Sequence, residues 1–296
     1  MRLTIAVPLM NQLQDSKGIL ALLKYISSDD VEFIFIDNGS TDKYEDFILH
    51  YLRPKRMQYI RNKENVGLVR SMQIAYENCN TEILAITHND VLVYEKDWDK
   101  RVASYFEKMP DVGAAGFFGS QGCGPIGERI QDVPHSGVMA GMSNMLEAEI
   151  HGFRMHEEWK PAAIFDGLMM IFRMEMLKKG GGFDQQYKYH HIYDRDASLE
   201  SLKRGYKNIV INVPCHHLSG LTANRSDYQN WAREKFPDKK HDQTFNADKF
   251  IHDENSLLFK EKFKDVLPLY VNDDFSFRNE QQGQWNFKGD AIKKMK

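Results

Sequence analysis

The sequence predicts an α/β fold, a three-layer α/β/α sandwich around a mostly parallel central sheet, followed by a C-terminal appendage. Three observations carry this. Apolar runs alternate with stretches of helical periodicity from residue 3 to about residue 118, and strands separated by helices of that length imply right-handed crossovers and a sheet covered on both faces. Polar clusters follow the runs at Asp37, Asn65 and His88, which puts them near the carboxyl ends of the strands, where such sheets bind ligands. A chain of 296 residues can bury one large core, alone or with an appendage.

The elements follow in order. Leu3 to Leu9 reads as a buried strand, and Ile19, Leu22, Leu23 and Ile26 recur at the spacing of one helix face. Val31 to Ile36 is the next strand. It enters the turn cluster Asp37-Asn38-Gly39-Ser40-Thr41-Asp42, where Asp42 and Glu45 have capping-box spacing before a helix bearing Tyr44, Phe47, Ile48 and Tyr51. Met57 to Ile60 is the third strand. The loop Asn65-Val66-Gly67 leads to a helix with Val69, Met72 and Tyr76, then to a strand over 82–87 that ends in His88-Asn89-Asp90. Trp98, Val102, Tyr105 and Phe106 mark a helix, and Val112 to Phe118 a strand.

Gly122-Cys123-Gly124-Pro125-Ile126-Gly127 has the letters of a dinucleotide fingerprint. It lacks the context, because no helix of useful length opens after it to meet a pyrophosphate. A flexible loop, as a lid, is the expectation. Residues 135–160 are rich in Met and Gly without a sustained period and read equally as a loop over a groove or a loosely packed core segment. Ile164 to Arg173 reads as one apolar strand holding Asp166-Gly167. A short helix with Met176 and Leu177 follows, stopped by Gly180-Gly181-Gly182. Tyr193-Asp194-Arg195-Asp196 precedes a helix with Leu199 and Leu202, and Ile209 to Ile211 is a last strand before Cys215-His216-His217.

The formal net charge of −3 supplies no chain-wide basic field, so nucleic acid is not an expected partner. Three cysteines without close spacing suggest neither a disulfide framework nor a zinc cluster, and a reducing, cytoplasmic location fits. Nowhere do 18 apolar residues follow one another, so neither a signal peptide nor a transmembrane segment is expected.

In order and spacing these pieces resemble the inverting nucleotide-sugar glycosyltransferases of family 2, which have the Rossmann-like GT-A fold. The resemblance covers about residues 3 to 222: the Val7-Pro8 strand end, the turn from Asp37 to Asp42, Asn65-Val66-Gly67, His88-Asn89-Asp90 in the place of the metal-binding Asp-X-Asp, Asp166-Gly167, Gly-Gly-Phe183-Asp184, Tyr193-Asp194 in the place of the Glu-Asp base motif, and His217-Leu218-Ser219-Gly220. It implies transfer of a sugar from a nucleoside-diphosphate sugar to a hydroxyl of a glycan or glycoconjugate acceptor. It also implies Mn²⁺ or Mg²⁺, because a divalent cation bridging phosphoryl oxygens makes the diphosphate a better leaving group and carboxylates with phosphates and water suit those ions.

By this resemblance Asp90 anchors the metal and His217 completes its site, although His216 stands beside it. Asp194 is the general base, and Asp196 caps the helix that follows. Pro8, Asp37, Asn65, Gly67, Arg70 and Asn89 contact the nucleotide, while His88, Asp166 and Gly167 face donor or acceptor sugar. Asp37 also reads as an ordinary Asx-turn residue, and Arg70 as an exposed helical arginine. Two departures stand out: His88 replaces an acid of the metal motif, and Tyr193 replaces the usual Glu before the base. They leave a non-catalytic nucleotide-sugar or glycan binder as an alternative, with a sugar nucleotidyltransferase as another. Residues 1–222 form the expected catalytic domain. Residues 223–296 form a partly helical extension with a disordered tail after about Phe277, expected to shape the acceptor site or mediate homo-oligomerisation.

Overall fold

The computed structural model of the chain describes residues 1–130, 141–143, 155–218, 226–239, 242, 244–279 and 283–285. The strands are β1 (Leu3–Leu9), β2 (Glu32–Asp37), β3 (Met57–Arg61), β4 (Ile83–Thr87), β5 (Val91–Val93), β6 (Val112–Gly116), β7 (Phe118–Ser120), β8 (Gly122–Cys123) and β9 (Arg129–Ile130). They continue as β10 (Gly141–Ser143), β11 (Trp159–Pro161), β12 (Ile164–Phe165), β13 (Met169–Arg173), β14 (Lys207–Ile211), β15 (Cys215–His217), β16 (Leu269–Val271), β17 (Phe277–Asn279) and β18 (Gly283–Trp285). The helices are α1 (Leu13–Ile26), α2 (Tyr44–Asp46), α3 (Leu68–Asn78), α4 (Trp98–Lys108), α5 (Met174–Lys178), α6 (Tyr193–Lys203), α7 (Ser226–Glu234) and α8 (Ala247–Phe263).

Eight strands make the central sheet in the order β11-β14-β6-β13-β4-β1-β2-β3. β1 runs parallel to β2 and β4, β2 to β3, and β14 to β6, while β13 lies antiparallel between β4 and β6 and β11 is an antiparallel edge. The sheet separates two cores by the period-2 alternation of strands. Ala6, Ile34, Ile36, Leu84, Ile86 and Met170 face α3 and α6, whereas Ile5, Val7, Phe33, Phe35, Ile83 and Ala85 face α1 and α4. Because both faces are covered, every position of β4, β6 and β13 is buried, which is why these strands read as continuous apolar runs. Trp98 anchors α4 with no exposed surface, edge-on to Phe117 at 5.4 Å.

Several local expectations are overturned. Asp42 does not cap the helix after it. Its Oδ2 accepts the Leu13 amide at 2.8 Å, so it satisfies a first-turn donor of α1 instead. α2, with Tyr44 buried, continues as a π-helix over Phe47–Leu52 that buries Ile48 and Leu52 and leaves Tyr51 79% exposed. Ile164 to Arg173 is not one strand. Asp166 Oδ1 accepts the Leu168 amide, an Asx turn that separates β12 from β13 and sends them to different sheets. The stretch from Gly122 to Gly127 is no lid: it forms β8 and a tight turn in which Gly124 donates to Glu128 and Gly127 to Gly124.

β8 joins a five-stranded sheet ordered β18-β17-β16-β8-β9, so residues beyond Phe277 supply strands β17 and β18 where a disordered tail was expected. Residues 286–296, Ser219-Gly220, the boundary at 222 and most of the Met-rich stretch lie outside the described residues. Phe259, Phe263, Val266, Leu269 and Phe277 of the C-terminal region share one core cluster with α3 and α6. Among the described residues, no helix is long and apolar enough to cross a membrane.

Candidate active site

The site grows from the carboxyl end of β4. His88-Asn89-Asp90 turns the chain into β5, whose antiparallel pairing with β15 sets His217 opposite Val91. The Leu218 amide donates to the Asp90 carbonyl at 3.0 Å. Because successive strand residues point to opposite faces, this register brings His217, not His216, to Asp90, with Nε2 3.2 Å from Oδ1. His88 Nδ1 lies 3.4 Å from His217 Nε2, and ligand atoms of His88, Asp90 and His217 lie within 4.8 Å of one another.

Asp90 Oδ1 is buried, and despite its closeness to His217 it makes no hydrogen bond of acceptable geometry. An oxygen so placed has its lone pairs unsatisfied by any protein hydrogen bond, a costly state that a cation or donor would relieve. Burial by itself would raise the Asp90 carboxyl, but the His217 and His88 imidazoles outweigh it and hold it below the usual range. Burial would lower His217, yet the Asp90 carboxylate raises it. In His88 burial wins and the ring is held toward neutrality. Two imidazoles and one carboxylate form a donor set that fits a divalent transition-type cation.

Tyr193 opens α6, and its hydroxyl stands 3.0 Å from His88 Nε2. The two departures from the family pattern are therefore partners. Burial drives the Tyr193 phenol well above its ordinary value, so it stays protonated. Gly167 is required beside it, because a Cβ there would overlap the Tyr193 hydroxyl.

Asp194, 2% exposed, is the next residue of the helix. Its Oδ2 accepts the Gly167 amide at 2.9 Å and pairs with the Arg195 guanidinium, while Oδ1 accepts the Arg195 amide at 2.9 Å. Asp166 accepts from Arg129 at 2.6 Å. Burial would raise the Asp166 carboxyl, but Arg195 and Arg129 hold it well below the carboxylate range. Asp196 is not a helix cap. It lies inside α6, buried, accepting from Tyr187 Oη at 2.9 Å and Lys262 Nζ at 2.7 Å, and burial pushes its carboxyl up to about 6.

The expected nucleotide contacts divide. Pro8 sits one residue from the end of β1, in register with Ile36. Asp37 ends β2 at the same rim with no exposed surface, and its carboxylate accepts from Tyr59 Oη at 2.6 Å, Arg61 Nη1 at 2.6 Å and the Ser40 amide at 2.7 Å. Asn65 Oδ1 accepts the Gly67 amide at 2.9 Å, shaping a loop in which Gly67 takes φ 83° and packs on the Tyr189 backbone, where a Cβ would come within 2.7 Å. Asn89 donates to Tyr44 Oη at 3.1 Å. Arg70 is half exposed and turns along α3 to Glu77 at 3.1 Å, away from the helix N-terminus at the rim.

Sequence reasoning passed over Arg61, Arg129 and Arg195. The one available signal was Arg195 inside the Tyr-Asp-Arg-Asp motif, next to the candidate base.

The sequence profile of glycosyl transferase family 2 matches residues 4–181. No curated protein matches by sequence. Among solved structures, the chain resembles the mannosyltransferase PcManGT from Pyrobaculum calidifontis in complex with GDP-Man and Mn²⁺, at 20% identity and a TM-score of 0.51, covering 88% of this chain and 73% of that one. It also resembles TarS 1-349 of S. aureus in complex with UDP-GlcNAc, at 14% identity and a TM-score of 0.53, covering 89% and 73%. GalNAc-T7 with UDP, GalNAc and Mn²⁺ is similar at 11% identity and a TM-score of 0.54, covering 86% of this chain and 55% of that one. At such identities the likeness establishes the GT-A fold.

Proposed function

Because this chain belongs to glycosyl transferase family 2 and is a glycosyltransferase, we propose that it moves a sugar from a nucleoside-diphosphate sugar to a hydroxyl of a glycan or glycoconjugate, with inversion and with Mn²⁺ or Mg²⁺ bound. The observation that carries this reading is the buried, unsatisfied Asp90 Oδ1 between His88 and His217, on the same rim as Asp194. Mn²⁺ in the PcManGT and GalNAc-T7 complexes supports it. Asp90 and His217 hold the cation, with His88 as a third donor. When bound, the cation supplies Lewis-acid stabilisation of the negative charge that develops on the departing diphosphate.

The protein's own groups do the rest. With His88 Nδ1 turned to a cation, the ring N–H would sit on Nε2 and donate a hydrogen bond to Tyr193 Oη, 3.0 Å away, which would fix the tautomer. Asp194 takes the proton of the acceptor hydroxyl as its oxygen attacks the anomeric carbon from the face opposite the diphosphate. Both Asp194 oxygens accept hydrogen bonds in the resting arrangement, so the Arg195 contact to Oδ2 must be given up for the acceptor hydroxyl to reach that oxygen. Asn65 and Gly67 shape the nucleotide loop, and Asp37 positions Arg61 at its edge. Residues 1–222 carry the chemistry, and Phe259, Phe263, Val266 and Leu269 of the C-terminal region brace it by packing in one core with α3 and α6.

The test is a panel of UDP, GDP, dTDP and CMP with Mn²⁺ in thermal-shift and calorimetric assays, followed by hydrolysis of the matching nucleotide sugars. Metal-dependent binding of one diphosphate with slow hydrolysis of its sugar supports the reading. Binding without any sugar loss, in the presence of diverse acceptors, would return the chain to the binder alternative.

A further inference from the structure

A second group of metal-ligating side chains lies outside the site described above. His190 and His191 lie just ahead of Ile192 and the helix of Asp194, and Asp248 lies in the first turn of α8. Asp248 Oδ1 is 2.7 Å from His190 Nε2 and 3.1 Å from His191 Nε2. Tyr228 Oη of α7 stands 2.7 Å from the same His190 Nε2. The ligand atoms of the two histidines and Asp248 lie within 4.8 Å of one another.

From this geometry we infer that His190, His191 and Asp248 form a second cation site, suited to Zn²⁺ or a similar borderline divalent ion, that ties the C-terminal region to the segment leading into the catalytic helix. The donor set is two imidazole nitrogens and one carboxylate oxygen, the ligand types zinc accepts. Bond lengths of about 2.0 to 2.1 Å in a tetrahedral shell put neighbouring ligand atoms about 3.3 Å apart; the 3.1 Å from His191 to Asp248 is close to this, while the 2.7 Å from His190 to Asp248 is a hydrogen-bond distance that would open when an ion enters. Tyr228 Oη, 2.7 Å from His190 Nε2, stands beside the three donors and would be within reach of a fourth position. His252, one helical turn beyond Asp248, packs edge-on to His191 at 5.4 Å.

The backbone is built to present both rings to one point. Tyr189, His191 and Ile192 all take left-handed conformations, with φ of 50°, 68° and 65°. For a β-branched residue such as Ile192 this is an outlier, and such conformations persist only where the surroundings over-determine them. Asn255 of α8, 1% exposed, does so: its Oδ1 accepts the Lys188 amide at 2.9 Å, and its Nδ2 donates to the carbonyls of Lys188, His190 and His191 at 2.9, 2.7 and 3.2 Å. The same helix thus supplies the clamp and the carboxylate. A cation there would hold α7, α8 and the segment before Tyr193 as one unit.

The test uses the full chain stripped with a chelator and desalted, with Zn²⁺ as probe, read by calorimetry and by metal content after a second desalting. Wild type is expected to retain about two equivalents, Asp90→Asn and Asp248→Asn about one each, and the double variant none. Zn²⁺ should raise the Tm of Asp90→Asn but not of the double variant. Loss of zinc in Asp248→Asn but not in Asp90→Asn would uphold this site while sinking the active-site cation. Equal zinc content in wild type and Asp248→Asn, or in Asp90→Asn and the double variant, would overturn it. If circular dichroism shows that Asp248→Asn is unfolded, His191→Gln, which leaves the carboxylate, takes its place with the same expected loss.

Discussion

Replacing Asp194 with Asn tests the proposed chemistry most directly, because it conserves volume in a side chain only 2% exposed and removes the proton acceptor. General-base contributions are on the order of 10² to 10⁴ in rate, which is about 2.7 to 5.4 kcal/mol of barrier. The structure adds a stability cost. The Asn oxygen can replace Oδ2 for the Gly167 amide, but its NH₂ then faces the Arg195 amide where Oδ1 accepted. One unpaired buried donor costs about 1 to 3 kcal/mol. Arg195 keeps Asp166 in its field, so the variant should fold. Asp196→Asn is the control: it touches Lys262 and Tyr187, not the rim, and should lose stability while retaining transfer. The assay is release of nucleoside diphosphate in single-turnover mode with the true donor and acceptor, beside donor binding by calorimetry. Near wild-type turnover in Asp194→Asn, with loss in Asp196→Asn, would place the base two residues on. If both stayed active, deprotonation by a side chain of this helix would be refuted.

Asp90→Asn should abolish the Mn²⁺-dependent tightening of diphosphate binding while leaving the circular dichroism unchanged, and calorimetry with and without Mn²⁺ checks it. The raised His217 and lowered Asp90 set the sign of the pH effect. Without metal, their pairing stabilises the fold between the two values, and is lost as pH falls through the folded Asp90 value or rises through the folded His217 value. Because a proton competes for His217, cation affinity should start to fall above the ordinary histidine value of about 6.5 as pH decreases, visible in Mn²⁺ titrations at successive pH. Tyr193→Phe leaves His88 Nε2 without its hydroxyl partner and should cost about 1 to 3 kcal/mol in urea unfolding, with weaker Mn²⁺ binding. Unchanged Mn²⁺ affinity would show that Tyr193 does not orient His88. Asp42→Ala should destabilise the chain by about 1 kcal/mol through the start of α1, whereas the capping-box reading would place that loss at the helix after Tyr44; hydrogen exchange at Leu13 against Glu45 separates them.

By itself, the sequence determined the elements whose signals are local. Continuous apolar runs mark β1, β2 and β4 because both faces of the central sheet are covered, and periodicity marks α1, α3 and α4 because each buries one stripe, whereas α6 is buried on most sides. The polar clusters at Asp37, Asn65 and His88 were legible as rim residues because strand polarity fixes which end they occupy. Tertiary structure decided whatever depends on partners distant in sequence. β12 and β13 enter different sheets because Asp166 turns the chain between them, and Gly122 pairs with Tyr270 in a sheet that no local pattern announces. Asp42 serves Leu13 across the fold instead of its own helix. Arg195 occupies the candidate base, and Asp37 is covered by Arg61. The pairing of His88 with Tyr193, 105 residues apart, turns two separate oddities of the sequence into one contact. Charge pairing and hydrogen bonding act over a few ångströms, and which groups come within that range is set by the packing of the whole chain.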